Sequence, residues 1–127
     1  MTPSTFREYC LSLPFVEPDF PFDENVLTFK LKGKVFAMMT TNPEGWFVLK
    51  CKPEYSSLLK ESWTEIEPAW HCNKKYWIQL DLTGSLPDTL VMNLVRHSYN
   101  EVLRKFPKKN QKGIPFLEED IYFKNDF

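Results

Sequence analysis

The sequence predicts a single α+β domain: an antiparallel sheet with an N-terminal helix, a middle helix and a long C-terminal helix packed on it. Three observations predict this. Residues 26–51 hold three short runs rich in β-formers, separated by turn signals. Residues 85–106 hold one long stretch of apolar residues at helical spacing. A length of 127 residues suits one compact domain.

Taken in order, Thr2-Pro3-Ser4 opens a helix, with Thr2 as its cap and Pro3 at the first helical position. Phe6, Tyr9, Cys10 and Leu13 recur on one face, and Pro14 stops it. Residues 17–22, punctuated by Pro18 and Pro21, read as an extended lead-in or edge strand, where proline costs no ladder hydrogen bond. Strands follow over residues 26–31, 35–39 and 46–51, joined by Lys32-Gly33-Lys34 and by Asn42-Pro43-Glu44-Gly45, which makes an antiparallel meander. Pro53 opens a second helix, running to about Ser62 with Tyr55, Leu58 and Leu59 inward. Residues 66–75 read as irregular, and residues 76–82 alternate as a further strand. In the third helix Ser85 is the expected cap, and the helix runs to Phe106 before Pro107 stops it. Val91, Met92, Val95, Tyr99, Val102, Leu103 and Phe106 share its apolar arc. Asn93, Arg96, His97, Asn100 and Arg104 share the opposite arc, so His97 is expected to be solvated.

Residues 1–107 therefore form the domain, and residues 108–127 form an extension that is first basic, then aromatic and acidic. Phe116, Tyr122, Phe123 and Phe127 carry too much apolar surface to stay in water. The extension is expected to dock, with Ile121-Tyr122-Phe123 adding to a sheet edge of its own domain or of a second subunit. Glu118-Glu119-Asp120 would then lie near Lys108, Lys109 and Lys112.

Composition narrows the function by exclusion. Sixteen basic and 17 acidic residues leave a net charge of −1, so bulk charge cannot hold this chain on DNA or on anionic lipid. Any nucleic-acid contact must come from a local patch. Three cysteines (Cys10, Cys51 and Cys72), widely spaced and without a CxxC pair, fit neither a disulfide framework nor a zinc site. No leader-like or membrane-length apolar run is present in the sequence, so the cytoplasm is the expected address. Glycines are isolated at turns, with no phosphate-cradling loop, dinucleotide fingerprint or nucleophile elbow; no cofactor and no metal are expected. The acidic cluster Glu17, Asp19, Asp23 and Glu24 lacks the spacing of a calcium loop and reads as a solvated turn.

The run with the most chemistry is Trp70-His71-Cys72-Asn73-Lys74-Lys75-Tyr76-Trp77. Lys74 and Lys75 suit phosphates, Trp70 and Trp77 offer stacking faces, and His71 and Asn73 supply polar contacts. The competing reading places the tryptophans in the core and the lysines in water. A second basic group, Arg104, Lys105, Lys108, Lys109 and Lys112, contains no acid from residue 104 to residue 112. Adjacent His71 and Cys72 face opposite ways on an extended segment, which disfavours a shared metal or a catalytic pair.

Several segments together resemble the MmcQ/YjbR family of small bacterial proteins. They are Leu13-Pro14-Phe15-Val16-Glu17, Phe29-Lys30, Lys34-Val35-Phe36-Ala37, Leu49-Lys50-Cys51-Lys52-Pro53-Glu54, residues 71–77, Leu82-Thr83-Gly84-Ser85-Leu86-Pro87-Asp88 and His97-Ser98-Tyr99. The resemblance implies a CyaY-like α+β fold and a proposed role in DNA binding, and brings no catalytic residues with it. Tyr76 stands where the family often has a second histidine, and Cys72 stands where an aliphatic is usual. The segment after Lys112 has no counterpart in the family pattern. The analogy with frataxin-like iron binders needs an acidic first helix, and here that helix offers only Glu8. The combined expectation is a non-enzymatic module that binds DNA weakly. A small-molecule or protein-interaction module with an aromatic pocket is the alternative, and an enzyme with an unrecognised site the third reading.

Overall fold

In the computed structural model, which describes residues 1–20, 25–40, 46–69 and 72–120, six strands form one antiparallel sheet. Helix α1 spans Pro3–Ser12, and Thr2 caps it by accepting the Thr5 N–H. Strands β1 (Val16–Asp19), β2 (Val26–Leu31), β3 (Lys34–Thr40) and β4 (Phe47–Lys50) follow as neighbours, and helix α2 covers Pro53–Ser62. Strands β5 (Ile66–Pro68) and β6 (Trp77–Leu80) complete the order β1-β2-β3-β4-β6-β5. Helix α3 is Asp88–Arg104, and a single turn, α4, covers Lys108–Gln111.

The β2–β3 hairpin turns on Lys32 and Gly33, both at positive φ, the pairing that matches strand twist in a two-residue loop. Pro18 lies on β1 at the sheet edge, where a missing N–H is harmless. Residues 66–75, expected to be irregular, contain β5: three residues are too few to show an alternating pattern, and pairing with β6 creates the strand. The turn at residues 42–45 lies outside the described residues, as do Asp23, Glu24, Trp70, His71 and residues 121–127.

Register sorts the sheet into two faces. Leu27, Met39, Phe47, Leu80 and Ile66 align across the strands, and Phe29, Ala37, Leu49 and Ile78 form the next row. All are buried in one core cluster with Phe6, Cys10, Tyr55, Leu59 and the apolar side of α3. Phe6 packs edge-on against Phe29 and Phe47, at 6.4 and 5.0 Å between ring centres, which seats α1. A register shift at Phe29/Lys30 lets Phe36 and Ala37 both turn inward, and Phe36 meets Tyr99 of α3 at 5.6 Å. The Tyr99 hydroxyl donates to the Pro14 carbonyl. This fastens a turn in which Phe15, at φ 65°, occupies a region unfavourable to a bulky side chain.

Several expectations are corrected. In α2 the inward residues are Tyr55, Ser56 and Leu59, and Leu58 is exposed. Ser85 does not cap α3, which starts at Asp88 and ends at Arg104, short of Phe106. Instead the Ser85 N–H and hydroxyl both donate to the Glu65 carboxylate at 2.6 Å. The hydroxyl bond first, then the N–H bond, hold that carboxyl down at about 2. Gly84 makes the contact possible, since a Cβ there would stand 2.5 Å from the Glu65 side chain.

The largest correction concerns the second side of α3. Asn93, His97 and Asn100 are not solvated; their exposures are 0%, 4% and 2%. Residues 117–120 lie along them as a strap. Asn100 accepts the Leu117 N–H and donates to the Leu117 carbonyl, both at 2.8 Å. Asn93 accepts the Asp120 N–H at 2.6 Å and donates to the Asp120 carbonyl. Between them Arg96 donates to the Glu118 carbonyl, and Glu119 takes hydrogen bonds from Asn100 and His97. The spacing explains the fit: seven helical residues rise about 10.5 Å, and three extended residues cover about 10 Å. The extension therefore docks through residues 114–120 on α3, with Ile114 buried in the core, and the expected sheet-edge strand at residues 121–123 lies outside the described residues. Glu119 is engaged by His97 and Asn100 rather than by the lysines of α4.

Two measurements test the strap. Val95→Ala in the core should cost about 1–3 kcal/mol, and Asn100→Ala a similar amount, because it orphans the backbone groups of Leu117. Lys109→Ala should cost near zero; denaturant midpoints of the three variants give the comparison. Burial alone would raise the Glu119 carboxyl, but the hydrogen bonds from His97 and Asn100 outweigh it and leave it below the usual value. The strap's contribution is therefore complete above the ordinary glutamate value of about 4.3 and falls as pH drops through the lower folded value. Amide exchange at Leu117 and Asp120 should accelerate over that window, and in Glu119→Gln the carboxylate-dependent part should vanish.

Candidate functional site

The end of β4 is held unusually firmly. The Lys50 N–H donates to the Ser98 hydroxyl at 2.8 Å, which in turn donates to the Phe36 carbonyl. The Cys51 N–H donates to the Tyr76 carbonyl at 2.7 Å. The Lys52 N–H donates to His97 Nε2 at 3.2 Å, which leaves the ring proton on Nδ1 for Glu119 at 2.8 Å. Buried His97 thus works as a brace between β4, α3 and the strap, and its ring also meets Tyr55 edge-on at 5.2 Å.

This bracing places Lys50 on the rim of a hollow of about 450 Å³, shared by β3, β4, β6 and the end of α3. Lys34, Lys50, Lys105, Trp77, Val35 and Phe106 contribute to its lining, and none of its described lining residues is acidic. Lys50 is half-buried with its ammonium 6.0 Å from the centre of the Trp77 ring. Burial first, then the charges of Lys105 and Lys34, lower the pKa of Lys50. Tyr76 lies close to two ammonium groups, that of Lys105 at 5.3 Å and that of Lys75 at 5.5 Å from its ring centre. A neutral ring at this position attracts both cations, whereas a protonated histidine would repel them.

A second hollow, of about 360 Å³, opens on the sheet face turned away from the core. Thr28, Met38, Cys72 and Asn73 contribute to it, together with Val35 and Trp77, which line both hollows. Lys30 also reaches it, but its ammonium is paired with Asp19 at 2.8 Å. Among the described lining residues one compartment is thus cationic and its neighbour nearly uncharged, with Trp77 lining both.

Of the residues singled out in the sequence, Lys75, Trp77 and Lys105 come together here, and Asn73 lines the second hollow. Trp70 and His71 lie outside the described residues. Lys74 is exposed and lines neither hollow. Arg104 is diverted: it pairs with Glu101 and covers the Phe116 ring, because i,i+3 neighbours on a helix meet directly. Lys108, Lys109 and Lys112 are exposed on or beside α4 and line neither hollow. Sequence reasoning missed Lys34, read there as part of the hairpin turn, and Lys50, a single lysine among apolar residues; neither signals a site until its register partners are known.

The thiols are not activated. Burial pushes Cys51 up to about 12, raises Cys10 further and raises Cys72 as well, which favours the unreactive thiol form at each. Among the described residues no three His, Cys, Asp or Glu side chains gather into a metal-binding group, and no helix is long and apolar enough to cross a membrane.

The YjbR family model matches residues 11–101. The chain belongs to the YjbR family. Uncharacterized protein YbdF of Escherichia coli O157:H7 is 33% identical over 112 residues, covering 87% of this chain and 91% of its own length. Uncharacterized protein YjbR of Escherichia coli K12 is 32% identical over 113 residues, covering 88% and 96%. The crystal structure of Deinococcus radiodurans DR2400, a DUF419 domain, superposes with a TM-score of 0.81 at 32% identity over 95% of this chain and 94% of that one. A protein from Pseudomonas syringae shares the fold, with a TM-score of 0.67 at 24% identity over 77% and 96%. Coverage of 95% of 127 residues is more than residues 1–112 alone can supply, so part of the extension has a counterpart in the Deinococcus member after all. These YjbR relatives bring the fold and no assigned chemistry.

The electrostatic reading of the site has its own test. Lys105→Ala should raise the pKa of Lys50 by removing a neighbouring positive charge, while Lys109→Ala should leave it where it is. Side-chain NMR titration of the Lys50 ammonium reports this directly.

Proposed function

We propose that this YjbR-family chain is a non-enzymatic binding module that holds DNA weakly, through phosphate contacts made by Lys34, Lys50 and Lys105 around Trp77. The observation that carries the reading is that these three lysines line one hollow, close enough for Lys34 and Lys105 to act on the charge of Lys50, with no acidic residue in its described lining. With burial first and like charges second already lowering the pKa of Lys50, an anion between the lysines relieves repulsion as well as forming new contacts. A net charge of −1 adds no general attraction, so binding rests chiefly on this cluster and stays weak. The thiols are unactivated and His97 is committed to bracing the fold, so neither Cys51 nor His97 is poised for nucleophilic or acid–base work, and the lowered pKa of Lys50 is read as the mark of an anion site.

Fluorescence anisotropy of a labelled duplex at several salt concentrations tests the proposal. Changing Lys50 and Lys105 together to Ala should weaken binding and flatten the dependence of log K on log salt by up to about two units. The pair Lys108→Ala and Lys109→Ala should weaken binding less. No detectable binding of any DNA by the wild-type chain at low salt would refute the proposal.

A further inference from the structure

Resting on that reading, we infer that the site takes an unpaired nucleotide: its phosphate enters the lysine-lined hollow while its base lies against Trp77 and into the adjoining apolar one. A surface meant only for duplex phosphates needs cations on an open face that can follow a convex rod. Here the cations surround a recess of about 450 Å³, within the range of small-ligand sites, and one of them is half-buried. Val35 and Trp77 also line the neighbouring hollow of about 360 Å³, whose one lysine among the described lining residues is already neutralised by Asp19. A ligand that satisfies both must be anionic at one end and flat, uncharged and weakly polar at the other. A nucleotide has that construction, with phosphate and base joined through a sugar.

Base pairing decides which form of nucleic acid qualifies. In a duplex each base is stacked above and below, so its face cannot meet an indole. An unstacked base in a single strand can, and contacts of this kind tolerate any sequence. Two polar atoms beside the apolar hollow are engaged within the protein. The Thr28 hydroxyl donates to the Asp19 carbonyl, and the Asn73 side-chain oxygen accepts the Lys75 N–H. This predicts stacking with little base-specific readout. A free mononucleotide and a nucleotide within a strand present the same chemistry, and the experiment separates them.

Anisotropy should be measured for a labelled single-stranded oligonucleotide and for its annealed duplex at equal salt. Adenosine monophosphate and ribose 5-phosphate serve as unlabelled probes in calorimetry. The expected result is single-strand binding about tenfold tighter than duplex binding, the scale of one base-on-aromatic stack. Trp77→Leu should remove that preference while leaving the salt slope in place, and Trp77→Phe should restore much of it. Thermal melting of both variants confirms that β6 is intact. Adenosine monophosphate should bind more tightly than ribose 5-phosphate, and if it binds while no strand does, the nucleotide site stands and the DNA role does not. Equal or tighter binding of duplex, insensitive to Trp77→Leu, would overturn the inference and leave a phosphate-only DNA surface. No binding of any strand or nucleotide would overturn both.

Discussion

Asn93 and Asn100 stand two turns apart on α3, and each amide satisfies both backbone groups of one residue in the strap, Asp120 and Leu117. Much of the rest depends on that match of lengths. Burying an amide without partners costs a few kcal/mol, so the polar side of α3 is affordable in the interior only because the strap completes it. Twelve of the 17 residues of α3 are buried as a result, with the apolar side on the sheet and the polar side under residues 117–120. A surface helix has become a central one.

His97 transmits this arrangement toward the lysine hollow. Its Nδ1 faces Glu119 of the strap, and its Nε2 receives the Lys52 N–H just beyond β4. One residue along the helix, Ser98 receives the Lys50 N–H. The backbone that carries Lys50 is therefore tied to two successive residues of α3. A half-buried ammonium beside two other cations is an unfavourable arrangement, and these ties keep the strand from moving to relieve it. The site gains its cationic character from stability supplied elsewhere.

Family membership and geometry bear on different questions. The Deinococcus structure shares the fold over 95% of this chain, part of the extension included, so the frame belongs to the family. The chemistry is argued from this chain's own residues, among which Tyr76 is instructive. As a neutral ring it lies within reach of the ammonium groups of both Lys75 and Lys105, the second of which follows the end of α3.

Sequence alone determined the elements governed by local chemistry. Thr2 and Pro3 begin α1, Lys32-Gly33 turns the hairpin, the meander follows from its β-formers, and Val91, Val95 and Tyr99 face the core. Each of these depends on a residue's own conformational preference or on a period within one segment. Tertiary structure decided what depends on a distant partner. Asn93, His97 and Asn100 read as solvent-facing because polar residues on the back of a helix usually are, and only a strap some 20 residues downstream in the chain reverses that. Ser85 reads as a cap until Glu65 claims it, and Arg104 reads as a free cation until Glu101 does. Lys34 and Lys50 carry no signal in their own segments, because a lysine in a strand acquires meaning only from register. Pairing Leu31 with Lys34 and Lys50 with Trp77, beneath the end of α3, turns separate charges into one site.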